Sequence, residues 1–124
     1  MKTGKNVILC VDDDPEFLES MRGILESNDY IMESATSAEE GLRRFKEVQP
    51  DLLIVDLMME EIDSGTTFVK DVKAQGARLP IYLLSSVGDG LSTTTDYSQL
   101  GLSGVLQKPI NPDILLATLK AKLR

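Results

Sequence analysis

The chain has 124 residues, 42% hydrophobic and 27% charged, which suits one domain whose core needs no disulfide or metal support. Its formal net charge of −7 argues against direct nucleic-acid binding, which requires clustered Lys and Arg. It contains no histidine, which excludes Ser-His-Asp and Cys-His catalysis, imidazole-ligated zinc and a phosphohistidine on this chain.

The first apolar run, NVILCV at 6–11, reads as a strand and carries the single cysteine, Cys10, expected to be a small buried hydrophobe in a reducing compartment. The run stops at three consecutive carboxylates, Asp12, Asp13 and Asp14, followed by Pro15. Asp at the N-cap with Pro at the first helical position starts a helix, so Asp14 is assigned the cap. Asp12 and Asp13 precede that cap, and mutual repulsion at a strand end calls for a cation. Phe17, Leu18, Met21, Ile24 and Leu25 then form a helical stripe.

YIMESA (30–35) reads as the second strand, with no chemically useful group at its end. A second stripe follows at Ala38, Leu42, Phe45 and Val48. DLLIV (51–55) is the third strand, and Asp56 stands after it. Phe68, Val69 and Val72 make a shorter stripe, and PIYLLS (80–85) is the fourth strand, with Ser85 and Ser86 at its end. GDGLSTTTDYSQ (88–99) is a weak helix candidate, poor in helix formers and carrying two glycines. GVLQ (104–107) is the fifth strand, Lys108 follows it, and Leu115, Leu116, Leu119 and Leu123 mark the last helix. No apolar run approaches the ~18 residues of a membrane span, and the N-terminus lacks a signal-peptide core, so a cytoplasmic location is expected.

Three of the strands are almost continuously apolar, as when helices cover both faces of a parallel sheet. The expected fold is α/β: a doubly wound five-stranded parallel sheet with right-handed crossovers. In such sheets the site lies beyond the carboxyl ends of the strands, where strand order reverses. Asp12, Asp13, Asp56, Ser85 and Lys108 all fall at those ends. Taken singly, Asp56 could be a strand terminator, Ser85 a turn hydroxyl and Lys108 a solvated surface residue; their joint placement argues otherwise.

Two carboxylates about 4 Å apart repel by about 4 kcal/mol at an effective dielectric of ~20. An all-oxygen cluster without His or Cys suits a hard cation such as Mg²⁺. Cation, ammonium and hydroxyl around one free carboxylate are the parts of phosphoryl transfer, with Asp as nucleophile and an aspartyl phosphate as product.

At these residues the chain resembles the receiver domain of two-component response regulators, from about residue 5 to 123. ILCVDDDP resembles the family's acidic strand end, QPDLLIVDLMM its phosphoacceptor strand, LPIYLLSS its fourth strand and SGVLQKPI its fifth, with Lys-Pro. The resemblance implies strand order 2-1-3-4-5 and a single receiver domain over 1–124 without an effector domain of its own. It implies that Asp56 takes a phosphoryl group from a histidine kinase or histidine phosphotransfer protein. Asp13, Asp56 and the backbone carbonyl of Met58 would ligate Mg²⁺, with Asp12 holding the metal's water shell. Lys108, followed by a cis bond to Pro109, would pair with the phosphoryl group, and Ser85 would turn inward to hydrogen-bond it. Output would go to an effector protein, a fused output domain or a phosphorylation-dependent homodimer.

The chain also departs from the family pattern. Glu60 stands where proline is usual, Gly65 is one position late, and Val105 replaces the usual Tyr or Phe, so readout from the face bearing 88–99 is expected to be altered. Met58 and Val87 are apolar at positions that tune hydrolysis, which implies slow autodephosphorylation. Two rivals remain: a pseudo-receiver that binds without phosphorylation, and a phosphatase resembling haloacid dehalogenases, with Asp12 as nucleophile and Asp14 as acid/base. The latter needs a further acidic pair after its lysine, and only Asp113 follows Lys108.

Overall fold

The structure, a computed structural model, describes residues 5–56, 70–74, 79–86, 103–108 and 110–123, with the backbone alone at 85 and 86. Five strands, β1 (Val7–Val11), β2 (Ile31–Ala35), β3 (Leu52–Asp56), β4 (Ile81–Ser86) and β5 (Gly104–Lys108), form one parallel sheet. Their order is β2-β1-β3-β4-β5, as the resemblance implied. The helices are α1 (Pro15–Glu26), α2 (Ala38–Val48) and α3 (Pro112–Lys122), and residues 70–74 are also helical.

Successive strand residues point to opposite faces, and both faces are covered, which is why β1 and β3 are buried along their whole length. On one face Ile8, Cys10, Ile54 and Leu84 pack with Leu18, Met21 and Leu25 of α1 and Leu115 and Leu119 of α3. On the other, Leu9, Val11, Leu53, Val55 and Leu83 pack with Val72 and the half-buried Leu42 and Phe45 of α2. Burying each such side chain stabilises the fold by about 1.5–3 kcal/mol, and truncating one to Ala costs about 2–5. Cys10 is the buried hydrophobe expected, its thiol pushed up to about 12, chiefly by burial and then by the charge of Asp12.

Local chemistry sets the helix starts. Asp14 is the N-cap of α1: its Oδ1 accepts from the Glu16 amide at 3.0 Å, and Pro15 occupies the first turn. Ser37 caps α2 and accepts from the Glu40 amide at 3.1 Å, while Asn111 caps α3 and accepts from Asp113 and Ile114. At the opposite edge of the sheet, Asp51 Oδ2 accepts from the Val7 amide at 2.7 Å and fastens the start of β1 to the approach of β3.

The strand ends differ from the sequence reading in one respect that matters. Asp56, Ser86 and Lys108 do not follow their strands; they are the last paired residues of them, Asp56 opposite Leu84 and Ser86 opposite Lys108. A parallel ladder is made by backbone groups, so a polar side chain does not end it. Asp56, Ser86 and Lys108 are therefore held in place by the backbone ladder of the sheet itself. The predicted helix at 88–99 and the stripe residues Phe68 and Val69 lie outside the described residues; Val72 is buried as expected.

Candidate functional site

The strand-order reversal falls between β1 and β3, and the acidic residues gather at the carboxyl end of these two strands. The Asp12 amide donates to the Ala35 carbonyl at 3.0 Å, carrying the β1–β2 pairing one residue further and drawing the Asp12 side chain into the sheet edge. Asp12 is fully buried, Asp56 is 6% exposed and Asp13 is exposed. Asp12 Oδ1 accepts from the Asp14 amide at 2.9 Å, which fixes the turn into α1. Thus two of the three consecutive aspartates face the site, and the third serves the helix.

One carboxylate oxygen from each of Asp12, Asp13 and Asp56 can be chosen so that all three lie within 4.8 Å of one another. Lys108, from the end of β5, reaches across: its Nζ lies 2.7 Å from Asp12 Oδ2 and 3.5 Å from Asp56 Oδ2. Asp12 Oδ2 is buried, and the Lys108 ammonium is the partner it meets among the described residues. Burial would lower the Lys108 pKa; the hydrogen bond and charge of Asp12, then the charge of Asp56, more than reverse this, and the ammonium is held above its ordinary range.

Among the described residues, three carboxylates gather around the one ammonium of Lys108, an excess of acidic groups. That excess and the all-oxygen donor set fit a hard divalent cation. The cluster joins the positions that the sequence pointed to at four strand ends, save that Ser85 is described by its backbone alone, paired with Gln107, and Met58 and Pro109 lie outside the described residues.

Sequence reasoning missed Phe17. It was assigned to the apolar stripe of α1, and it does pack against the core, yet its ring centroid also lies 4.6 Å from Lys108 Nζ. Its spacing on α1 carries no signal of that second contact, which depends on the approach of β5. Further from the site, β5 and α3 frame a groove of about 360 Å³ lined by Val105, Gln107, Ile110, Asn111 and Ile114. Val105 is 37% exposed and Ile114 57%.

A five-stranded parallel sheet in this order, with an acidic cluster and a lysine at its carboxyl edge, defines a receiver, a signalling domain. The profile of the response regulator receiver domain matches residues 8–120, and the chain belongs to that family. It is 35% identical over 117 residues to the response regulator MprA of Mycobacterium leprae, covering 94% of this chain. The chain spans about half the length of the curated relatives it matches, 50% in that case. Its fold superposes on the chemotaxis protein CheY4 of Vibrio cholerae with a TM-score of 0.85 at 28% identity, covering 97% of this chain and 100% of that one. A CheY-like receiver domain protein from Methanospirillum hungatei gives 0.84 at 26% identity, with 96% and 94% covered. No helix among the described residues is long and apolar enough to cross a membrane.

Proposed function

We propose that the chain is the phosphoacceptor of a two-component relay and that Asp56 takes the phosphoryl group from a phosphohistidine of a histidine kinase or phosphotransfer protein. The P–N bond of the donor breaks with its electron pair returning to the imidazole, and a P–O bond forms to a carboxylate oxygen of Asp56. The Lys108 ammonium, already held within 3.5 Å of that carboxylate, is placed to pair with a phosphoryl oxygen. Ser85, one residue short of the end of β4, is assigned the remaining hydrogen bond. Asp13, Asp56 and the Met58 carbonyl would hold Mg²⁺, with Asp12 orienting its waters. When bound, the ion supplies neutralisation of charge on the phosphoryl oxygens.

The observation that carries this reading is the meeting of three carboxylates and one lysine from separate strand ends at the edge where the strand order reverses. Apolar Met58 and Val87 leave attacking water without a polar guide, so the aspartyl phosphate should outlast a scale of seconds. Output is assigned to an effector protein or fused output domain in the cytoplasm, through a surface in which Val105 takes the place of an aromatic switch. The test is intact-mass spectrometry after incubation with acetyl phosphate. One added phosphoryl group is expected with Mg²⁺, and none without it or in Asp56→Ala. Equal labelling of the variant, or labelling indifferent to Mg²⁺, overturns the assignment.

A further inference from the structure

We propose that Phe17 is a positioning residue for Lys108, its ring face holding the ammonium at the phosphoryl site; this rests on the phosphoacceptor reading above. The lysine comes from the end of β5 and the ring from the first turn of α1, so the contact at 4.6 Å joins two elements through their site-facing ends. The ring faces an ammonium whose side chain is only 19% exposed. A cation over an aromatic face is attracted by the ring quadrupole, and more strongly when both are withdrawn from water.

The ammonium therefore has two kinds of partner. Asp12 and Asp56 hold it by charge, and the same two carboxylates belong to the cluster suited to a divalent cation. Their attraction is shared whenever that cation is bound. The ring carries no net charge and competes for neither ion. Phe17 thus keeps a flexible, rotamer-rich side chain near the acceptor under the condition in which its carboxylate partners are engaged elsewhere. Phe17 is half-buried at the margin of the core.

The experiment compares the rate of phosphoryl loading from acetyl phosphate with Mg²⁺ in wild type, Phe17→Leu, Phe17→Tyr, Lys108→Met and the Leu/Met double variant, after thermal melts establish that each is folded. Phe17→Leu should load about fivefold more slowly, and Phe17→Tyr, which keeps the ring, at nearly the wild-type rate. In the Lys108→Met background the leucine substitution should have no further effect, since the ring then has no cation to hold. A second readout needs no phosphorylation: the Lys108 ε-methylene protons should be shifted upfield by the ring in wild type and Phe17→Tyr, and lose that shift in Phe17→Leu. Equal loading by wild type and Phe17→Leu, an equal loss in Phe17→Tyr, the same loss in the Lys108→Met background, or no ring-current shift overturns the positioning role alone. A wild type that accepts no phosphoryl group overturns the phosphoacceptor reading and this role with it.

Discussion

Asp51 and Asp56 bracket β3, one at each edge of the sheet, and the same side chain meets two different environments. Asp51 is half-buried and gives an oxygen to the Val7 amide at 2.7 Å, so its charge is used to fasten a neighbouring strand. Asp56 is buried beside Asp12 and Asp13, where like charges repel and the Lys108 ammonium offsets part of the excess. The amino edge spends a carboxylate on stability, whereas the carboxyl edge gathers carboxylates at a cost to it. Such a cost is expected where the charge has chemical work to do.

Exchanging each carboxylate for Ala should separate these roles. Asp56→Ala should abolish phosphoryl loading while leaving the unfolding free energy unchanged or higher, because one member of a repelling cluster is gone. Asp51→Ala should lose about 1–3 kcal/mol in urea denaturation, through the unpaired Val7 amide, and still load. Loss of loading in a folded Asp51→Ala would break the contrast.

Smaller effects sharpen the distinction between structural and chemical residues. Gly104 opens β5, and a Cβ there would lie 3.0 Å from Tyr82 Cε2. Gly104→Ala should force the Tyr82 ring aside and cost about 1–3 kcal/mol, measured by thermal or urea melts, with loading retained in the folded protein. A neutral result would mean that the ring yields freely.

The mildest expectation concerns Glu40, whose Oε1 accepts from the Thr36 amide at 2.8 Å and its hydroxyl at 3.1 Å. The backbone hydrogen bond first, then the hydroxyl, holds this carboxyl below its usual 4.5. A depressed pKa stabilises the fold fully above the unfolded value, and that contribution fades as pH falls through the folded one. Glu40→Gln should therefore remove a small part of the acid-side loss of stability and leave neutral-pH loading alone. An unchanged acid melt would show the bonds to be inconsequential.

How far the sequence reached depended on how local each signal was. The Asp14–Pro15 cap, the continuous apolar strands and the Leu18, Met21, Leu25 stripe depend on neighbours in the chain, and each stands as read. The stripe of α2 was also found, but Leu42 and Phe45 are only half-buried, since periodicity reports direction and not depth. The grouping of Asp12, Asp13 and Asp56 required the topology, which the strand-end rule supplied. The 2.7 Å preference of Lys108 for Asp12 over Asp56 and the ring of Phe17 beneath it were beyond reach. Both depend on how α1 and β5 approach each other in space, and a residue at core spacing gives no sign that it also faces a charge.

The central claim is tested most directly by locating the phosphoryl group. An aspartyl phosphate is reduced by borohydride to homoserine, so protein treated with acetyl phosphate and Mg²⁺, then reduced and digested, should carry homoserine at position 56 and aspartate at 12, 13 and 14. Homoserine at position 12, or at none of the four, would contradict the account.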